Sequence, residues 1–282
     1  MSTLSERIKE LFANLLSKNK NKKSEIIKET MSEIKKPLEI KPEPKKETPI
    51  IIKPNVKNEQ TGSKFLWLLD PGHGGMINGK YVTAPSKMYK HGANYFYEGV
   101  FNREIVYKIV DMCNNAGISY EVVAPGNKDI RLSVRSKRTN LLWSKYKNGT
   151  EKPCVYISIH SNAADPNSKT ATGWEVWTST GLTESDAFAT IFSNKMKEQF
   201  PGYSFREDKF DGDPDREKGN KKKDFHVLRE TNCPSLLTEN FFFTKYDPDY
   251  IKILSTEEGK NKIALAHFNA MLECEEKLSH LF

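Results

Sequence analysis

The sequence predicts an α/β fold: a twisted, largely parallel central sheet flanked by helices on both faces, preceded by an N-terminal amphipathic helix and a linker. Three observations carry this. From Lys64 onward, short apolar runs alternate with stretches of helical periodicity, the pattern of strands joined by crossover helices. The first run, in FLWLLDPGHGG over residues 65–75, is long enough for a buried strand and ends in a turn with one histidine among glycines. By contrast, residues 35–63 are rich in Pro, Lys and Glu. Such a stretch buries too little apolar surface to offset its ordering entropy, and it reads as an extended linker.

After the opening strand and a long polar loop, FNREIVYKIVDMCNNAG places Ile105, Ile109, Val110 and Cys113 on one helical face and stops at Gly117, a C-terminal cap. ISYEVVA follows as a strand. Asp129 is positioned to cap a helix through IRLSVRSKRTNLLWSKY, which Asn148-Gly149 closes. CVYISI and WEVWTST read as strands, and Thr183 to about Gln199 as a helix. Beyond a charged loop, FHVLRE and SLLTEN read as strands, and Ser255 and Glu258 have capping-box spacing at the start of a last helix. Near the N-terminus, Leu4, Ile8, Leu11, Phe12, Leu15 and Leu16 recur at helical spacing. The apolar face of that helix needs cover, from its own domain, from another copy, or from a membrane surface or protein partner. The domain organisation expected is therefore helix and linker over 1–63, then one catalytic domain over 64–282.

Of 44 Lys+Arg and 37 Asp+Glu, 14 and 9 fall in the first sixty residues. Most of the net charge of +7 thus belongs to the tail. The domain itself is nearly balanced, and Lys221–Lys223 lacks the interleaved aromatics of a nucleic-acid surface, so no nucleic-acid partner is expected. The four cysteines are far apart with no CxxC pair, which reads as free buried thiols of a reducing compartment. No apolar run approaches the roughly 20 residues of a membrane span. Charges interrupt the apolar positions at the N-terminus and lysines follow them, unlike a secretory signal. The chain reads as made in the cytoplasm without a signal peptide. Nothing in the pattern sets its oligomeric state.

In open α/β sheets ligands bind beyond the carboxyl ends of the strands. Three apolar runs end there on groups that bind metal or move protons: His73, His160 and Glu239. Glu98 stands just before the first long helix. Two histidines and a carboxylate are a standard set for a catalytic zinc with a fourth position for water, and a further glutamate can serve as general base. Glu98 fills the ligand role and Glu239 that of the base. The ligands are scattered, so spacing alone is a weak signal, and His91 is a rival ligand. Gly72, Gly74 and Gly75 would leave room for a bulky substrate at the metal. His226 reads as a strand-face residue. Arg131, Arg135 and Arg138 read as surface or salt-bridge groups, and the mixed-charge run 206–224 as a solvated loop able to border the cleft.

Taken in order, LLDPGHGG, the Glu98-Gly-x-x-Asn102 segment, ISIHSNA, GWEVW and FHVLRETNCPSLLTENFFF resemble the successive motifs of the zinc-dependent N-acetylmuramoyl-L-alanine amidases of the Amidase_3 type. The resemblance runs from Lys64 to the C-terminus. It implies zinc held by His73, Glu98 and His160, and Glu239 as the catalytic glutamate. It also implies peptidoglycan as substrate, cut at the amide between the lactyl group of N-acetylmuramic acid and L-alanine. The interval from His73 to Glu98 is longer than usual. Asn240 stands where a small residue commonly follows the glutamate, a change expected to alter the cleft floor. With no signal peptide, the reading is a phage or prophage lysin reaching the cell wall through a holin pore or as part of a particle, its tail holding it until needed. The alternatives are a bacterial wall-remodelling enzyme exported by an unrecognised route, a zinc peptidase cutting within the stem peptide, and a non-catalytic wall-binding or virion module.

Overall fold

The computed structural model describes residues 22, 24–29, 31–32, 62–168, 170–207, 214–217, 224–245 and 247–282. The helix expected over residues 4–16 and most of the linker lie outside them.

Five strands form the central sheet: β1 (Leu66–Pro71), β6 (Tyr120–Val122), β7 (Cys154–Asn162), β8 (Glu175–Trp177) and β9 (Ser235–Phe242). Their order is β6-β1-β7-β9-β8, with only the edge strand β8 antiparallel to its neighbour. All six residues of β1 are buried. Because side chains alternate along a strand, a strand covered on both faces must be apolar throughout. Trp67, Leu69, Val155 and Ile157 accordingly belong to one core cluster, and Leu66, Leu68, Cys154 and Tyr156 to another.

Helices α1 (Glu98–Ala116), α3 (Glu184–Gln199) and α6 (Glu257–Lys277) cover the first face, burying Ile105, Ile109, Phe188, Phe192, Ile263 and Met271. Helix α2 (Leu132–Lys147) and the short α4 (His226–Arg229) cover the second with Leu142, Trp143, Val227 and Leu228. This is the predicted fold class. The cap at Gly117 is also present, its φ of 70° being the left-handed value that glycine tolerates. All four cysteines are free and buried. No helix among the described residues is long and apolar enough to cross a membrane.

Four local expectations differ. The polar interval 76–97 folds as two hairpins, β2 (Met76–Ile77) with β3 (Lys80–Tyr81) and β4 (Met88–His91) with β5 (Asn94–Tyr97). These strands are too short to give a periodic signal. FHVLRE is helical, not extended: Leu228 N donates to Phe225 O and Glu230 N to His226 O, both at 2.9 Å. The apolar pair Phe225 and Leu228 has helical spacing as well as partial alternation, and the backbone bonds decide. Asp129 does not cap α2. It accepts from Thr83 Oγ1 at 3.0 Å, and Arg131 occupies the N-cap without a side-chain bond. The last helix is capped one residue late, by Thr256 accepting from Gly259 N at 3.1 Å. A separate helix α5 (Pro248–Ser255), capped by Asp247, precedes it.

Residues 24–29 are helical, and Ile27 and Met31 join the first core cluster. The start of β1 is anchored by Glu275 of α6. Its carboxylate accepts from Trp67 Nε1 and Ser63 Oγ at 2.8 Å, and from Lys64 N at 2.5 Å. Replacing Glu275 with Ala leaves a buried indole N–H unpaired, so denaturant unfolding of that variant should show a loss of about 2–3 kcal/mol, the range for breaking hydrogen bonds to a buried charged group.

Candidate metal centre

His73 follows the carboxyl end of β1, His160 lies near the end of β7, Glu98 is the first residue of α1, and Glu239 lies in β9. Register aligns them. Asp70 pairs with Ser158 and His160 with Glu239. Partnered residues of neighbouring strands point to the same face, which puts His160 and Glu239 side by side.

Glu98 Oε1 lies 3.2 Å from His73 Nε2 and 3.0 Å from His160 Nδ1, and the two imidazole rings meet at 85° with centroids 4.9 Å apart. All three donor atoms fall within 4.8 Å of one another. A tetrahedral site with bonds of about 2.1 Å separates its ligands by about 3.4 Å, close to the two distances to Glu98. Burial opposes charge on Glu98, but His160 and His73 outweigh it and bring the carboxyl down to about 2. Burial pushes the His160 pKa down, against the pull of Glu98, so this imidazole is neutral at pH 7.

Its single proton has a place to go. Ser158 Oγ donates to Asp70 Oδ2 at 3.2 Å and so can accept from His160 Nε2 at 3.1 Å. With that proton placement the Nδ1 lone pair and Glu98 Oε1, 3.0 Å apart, are both available to a cation; with the proton on Nδ1 instead, the imidazole donates to the carboxylate and holds it ionised. Glu98 Oε2 is also buried without a hydrogen-bond partner among the described residues; Lys87 Nζ is 3.9 Å away. The donor set therefore fits a zinc-class ion.

Beneath the cluster lies a buried ionic layer. Asp70 accepts from Arg135 Nη1 and Tyr156 Oη, each at 2.5 Å. Burial and the Asp70 charge raise the Tyr156 pKa well above the ordinary phenol value, so the hydroxyl remains a donor. Arg135 also donates from Nη1 to Pro71 O at 2.8 Å and from Nη2 to His73 O at 3.1 Å, and Arg103 Nη2 donates to the same His73 carbonyl at 2.7 Å. His73 has a φ of 62°, a left-handed backbone that costs a side-chain-bearing residue about 1–2 kcal/mol. Two guanidiniums on one carbonyl hold it there. Gly72 makes the approach possible, since a Cβ at this position would stand 2.2 Å from His160 Cε1.

Several expectations are corrected by these contacts. Arg135 is a salt-bridge group as expected, but a buried one: its side chain is 2% exposed and pairs with Asp70 in the ionic layer. Arg138 Nη1 donates to Val123 O at 2.6 Å, whereas Arg131 lines the cleft. The glycines are also required by the protein's own packing, and Gly72 lines the metal cavity. Gly72 admits His160, Gly74 faces Val82 and Asp129, and Gly75 faces Asn127 and Arg103. Asn240 does not form the cleft floor; it is buried, donating to His160 O at 2.8 Å and accepting from Trp174 Nε1 at 2.9 Å. His91 Nε2 lies 2.6 Å from Phe243 O and lines a separate small cavity.

The cluster opens into a cavity of about 470 Å³ that Glu239, Asp129, Arg131 and His226 also line. His226 Nε2 is buried without a hydrogen-bond partner among the described residues. Its place at the start of α4 could not be read from an alternation that implied a strand.

A His-Glu-His cluster able to hold a metal ion, at the carboxyl rim of a parallel sheet and with a glutamate in register beside it, defines a class of site suited to hydrolysis. Comparison with known proteins makes the class specific. Residues 68–273 match the family model described as N-acetylmuramoyl-L-alanine amidase. The chain belongs to this family. It is 27% identical over 216 residues to the endolysin of Bacillus phage SPP1, covering 75% of this chain and 66% of that protein. It thus spans just under two thirds of that relative's length. In fold it resembles the N-acetylmuramoyl-L-alanine amidase AmiC2 of Nostoc punctiforme, with a TM-score of 0.54, 21% identity and coverage of 75% of this chain and 97% of that one. It also resembles an N-acetylmuramoyl-L-alanine amidase from Clostridium difficile 630, with a TM-score of 0.54, 23% identity and coverage of 77% and 100%.

Removing the charge beneath His73 tests the ionic layer. Asp70→Asn leaves Arg135 buried opposite a neutral amide, and its unfolding free energy should fall by about 3–5 kcal/mol, the range for a buried ion pair losing one partner. Arg135→Met together with Asp70→Leu removes both charges and should recover part of that loss in the same denaturant titration.

Proposed function

We propose that this chain hydrolyses the amide between N-acetylmuramic acid and L-alanine, that His73, Glu98 and His160 hold a zinc ion, and that Glu239 is the general base. One observation carries the reading: a single buried carboxylate stands between two imidazoles at 3.0 and 3.2 Å, with Glu239 in register beside one of them. Zinc held there supplies Lewis-acid polarisation of the scissile carbonyl and lowers the pKa of water towards about 7. The Glu239 carboxylate accepts the proton of the attacking water. As the C–N bond breaks, the same carboxyl returns that proton to the alanyl nitrogen, which departs as the amine. His226 and Arg131, lining the same cavity, border the place where the acyl group is bound.

The biological role that fits is that of a phage or prophage lysin. The likeness to an endolysin supports it. The wall is then reached by a holin pore or from a particle, and the N-terminal segment is the part available to hold the enzyme at a membrane surface or on a protein partner.

Two variants separate the roles. Glu239→Ala should keep about one zinc per chain by elemental analysis and lose about 10²–10⁴-fold in wall lysis, the range for a positioned acid-base group; unchanged turnover would remove Glu239 as base. His73→Ala should lose the metal itself. Mass spectrometry of digested wall should find free L-alanine amino termini on intact glycan strands, whereas cuts within the stem would mark a peptidase. Zinc retention should fall below about pH 5, because protons compete for the imidazole nitrogens that bind the ion.

A further inference from the structure

A second compartment of about 440 Å³ adjoins the metal cavity, with Glu239 and Phe225 lining both. Its wall carries two arginines, Arg206 and Arg216, and one buried acid, Glu175. Glu175 lies on the edge strand β8, is 2% exposed, and is the register partner of Glu239. Arg216 Nη1 bonds Glu175 Oε2, and Arg206 Nε stands 3.3 Å from the same oxygen.

Both arginines are fixed from behind. Arg206 N donates to Trp174 O at 2.8 Å and Arg216 N to Val176 O at 2.9 Å, so their backbones run along the free edge of β8. The Arg216 guanidinium lies 4.5 Å over the Trp177 ring and that of Arg206 lies 5.4 Å over Phe242. Arg206 Nη1 also donates to Thr170 O at 3.1 Å. Yet 32% and 24% of these two side chains remain exposed.

Glu175 and Glu239, the two acids lining the compartment, match the two guanidiniums in charge, so what the arginines offer a ligand is their remaining N–H donors. Each guanidinium has five N–H donors in a fixed planar fork suited to a carboxylate, and both partly exposed side chains line the hollow with donors beyond those spent on Glu175 and Thr170. Only one side of the scissile amide can bring an anion here. The carboxyl of the muramic acid is consumed in the amide, whereas the peptide stem carries free carboxylates at its acidic residue and its C-terminus. We propose that the Arg206–Arg216 compartment binds a free carboxylate of the peptide stem and so places the stem on the amine side of Glu239. The proposal rests on the amidase reading, since it assigns a part of that substrate to this part of the cleft.

The test is calorimetric titration of the zinc-loaded full chain with a free stem peptide, L-Ala-γ-D-Glu-L-Lys-D-Ala, and with the same peptide amidated at the glutamyl α-carboxyl, at the C-terminus, or at both. The doubly amidated peptide should bind about tenfold more weakly, the size of one charge-assisted hydrogen bond, and the two singly amidated peptides identify which carboxylate is read. Arg206→Gln and Arg216→Gln each leave one guanidinium on Glu175, so the fold and zinc content should hold while the preference shrinks. Equal binding of acid and amide by the wild type overturns the proposal, as does a preference that survives in both variants. Kinetics on the matching muramoyl peptides keeps the two readings apart. Cleavage of acid and amide forms with equal KM sinks the carboxylate site and leaves the amidase; a preference in binding with no cleavage of the muramoyl amide sinks the amidase and leaves the site.

Discussion

The site depends on holding one peptide unit in a conformation it does not favour. His73 must turn left-handed immediately after a buried strand to bring its imidazole against Glu98, and its carbonyl is tied by guanidiniums from two helices, Arg103 of α1 and Arg135 of α2. Those bonds put positive charge under the sheet rim, and Asp70 answers it from inside β1. A buried ion pair is weak evidence of stability, because desolvation consumes most of its attraction. Here the pair fixes geometry: the same Arg135 that neutralises Asp70 also bonds Pro71 O and His73 O, so charge balance and the turn at the metal cluster are one arrangement.

Register carries this order across the sheet. From Asp70 the hydrogen bonds pass through Ser158 to His160, and His160 stands beside Glu239, which in turn stands beside Glu175. Three glutamates thus lie close together and do different things because their neighbours differ. Glu98 is enclosed by imidazoles and kept ionised. Glu175 is buried against two guanidiniums. Glu239 lines both cavities.

The ends of the strands were legible in the sequence for a physical reason. A strand buried on both faces is largely apolar, so a histidine or glutamate following LWLLDP, CVYISI or SLLT marks the approach to the rim, although β7 runs on to Asn162 and β9 to Phe242, and Glu98 was marked by the helix that begins on it. The support of the site was not legible. Arg135 looks like any arginine on an amphipathic helix until the fold supplies Asp70 from 65 residues away. Asp129 looks like a helix cap until Thr83, from the hairpin interval, takes its carboxylate. Short hairpins and a four-residue helix leave no periodic trace, so His226 and its neighbours could be placed in the cleft only by tertiary structure.

Helix α2 shows how the fold accommodates this concentration of charge. It buries Arg135, Ser136 and Thr139 against the sheet while Leu132, Val134 and Leu141 are exposed, the reverse of an ordinary surface helix. The first turns of α2 thus add little apolar burial, and the cover of the second face comes from Leu142 and Trp143 further along the same helix, together with Val227 and Leu228 of α4. The apolar load falls on the opposite face, where α1, α3 and α6 enclose Trp67, Phe188, Phe192 and Met271. At about 1.5–3 kcal/mol for each large side chain buried, that face holds the sheet rigid. The other face is thereby released to carry arginines, and the cluster at the rim is positioned by both: Glu98 from the apolar side on α1, His73 from the charged side through Arg135.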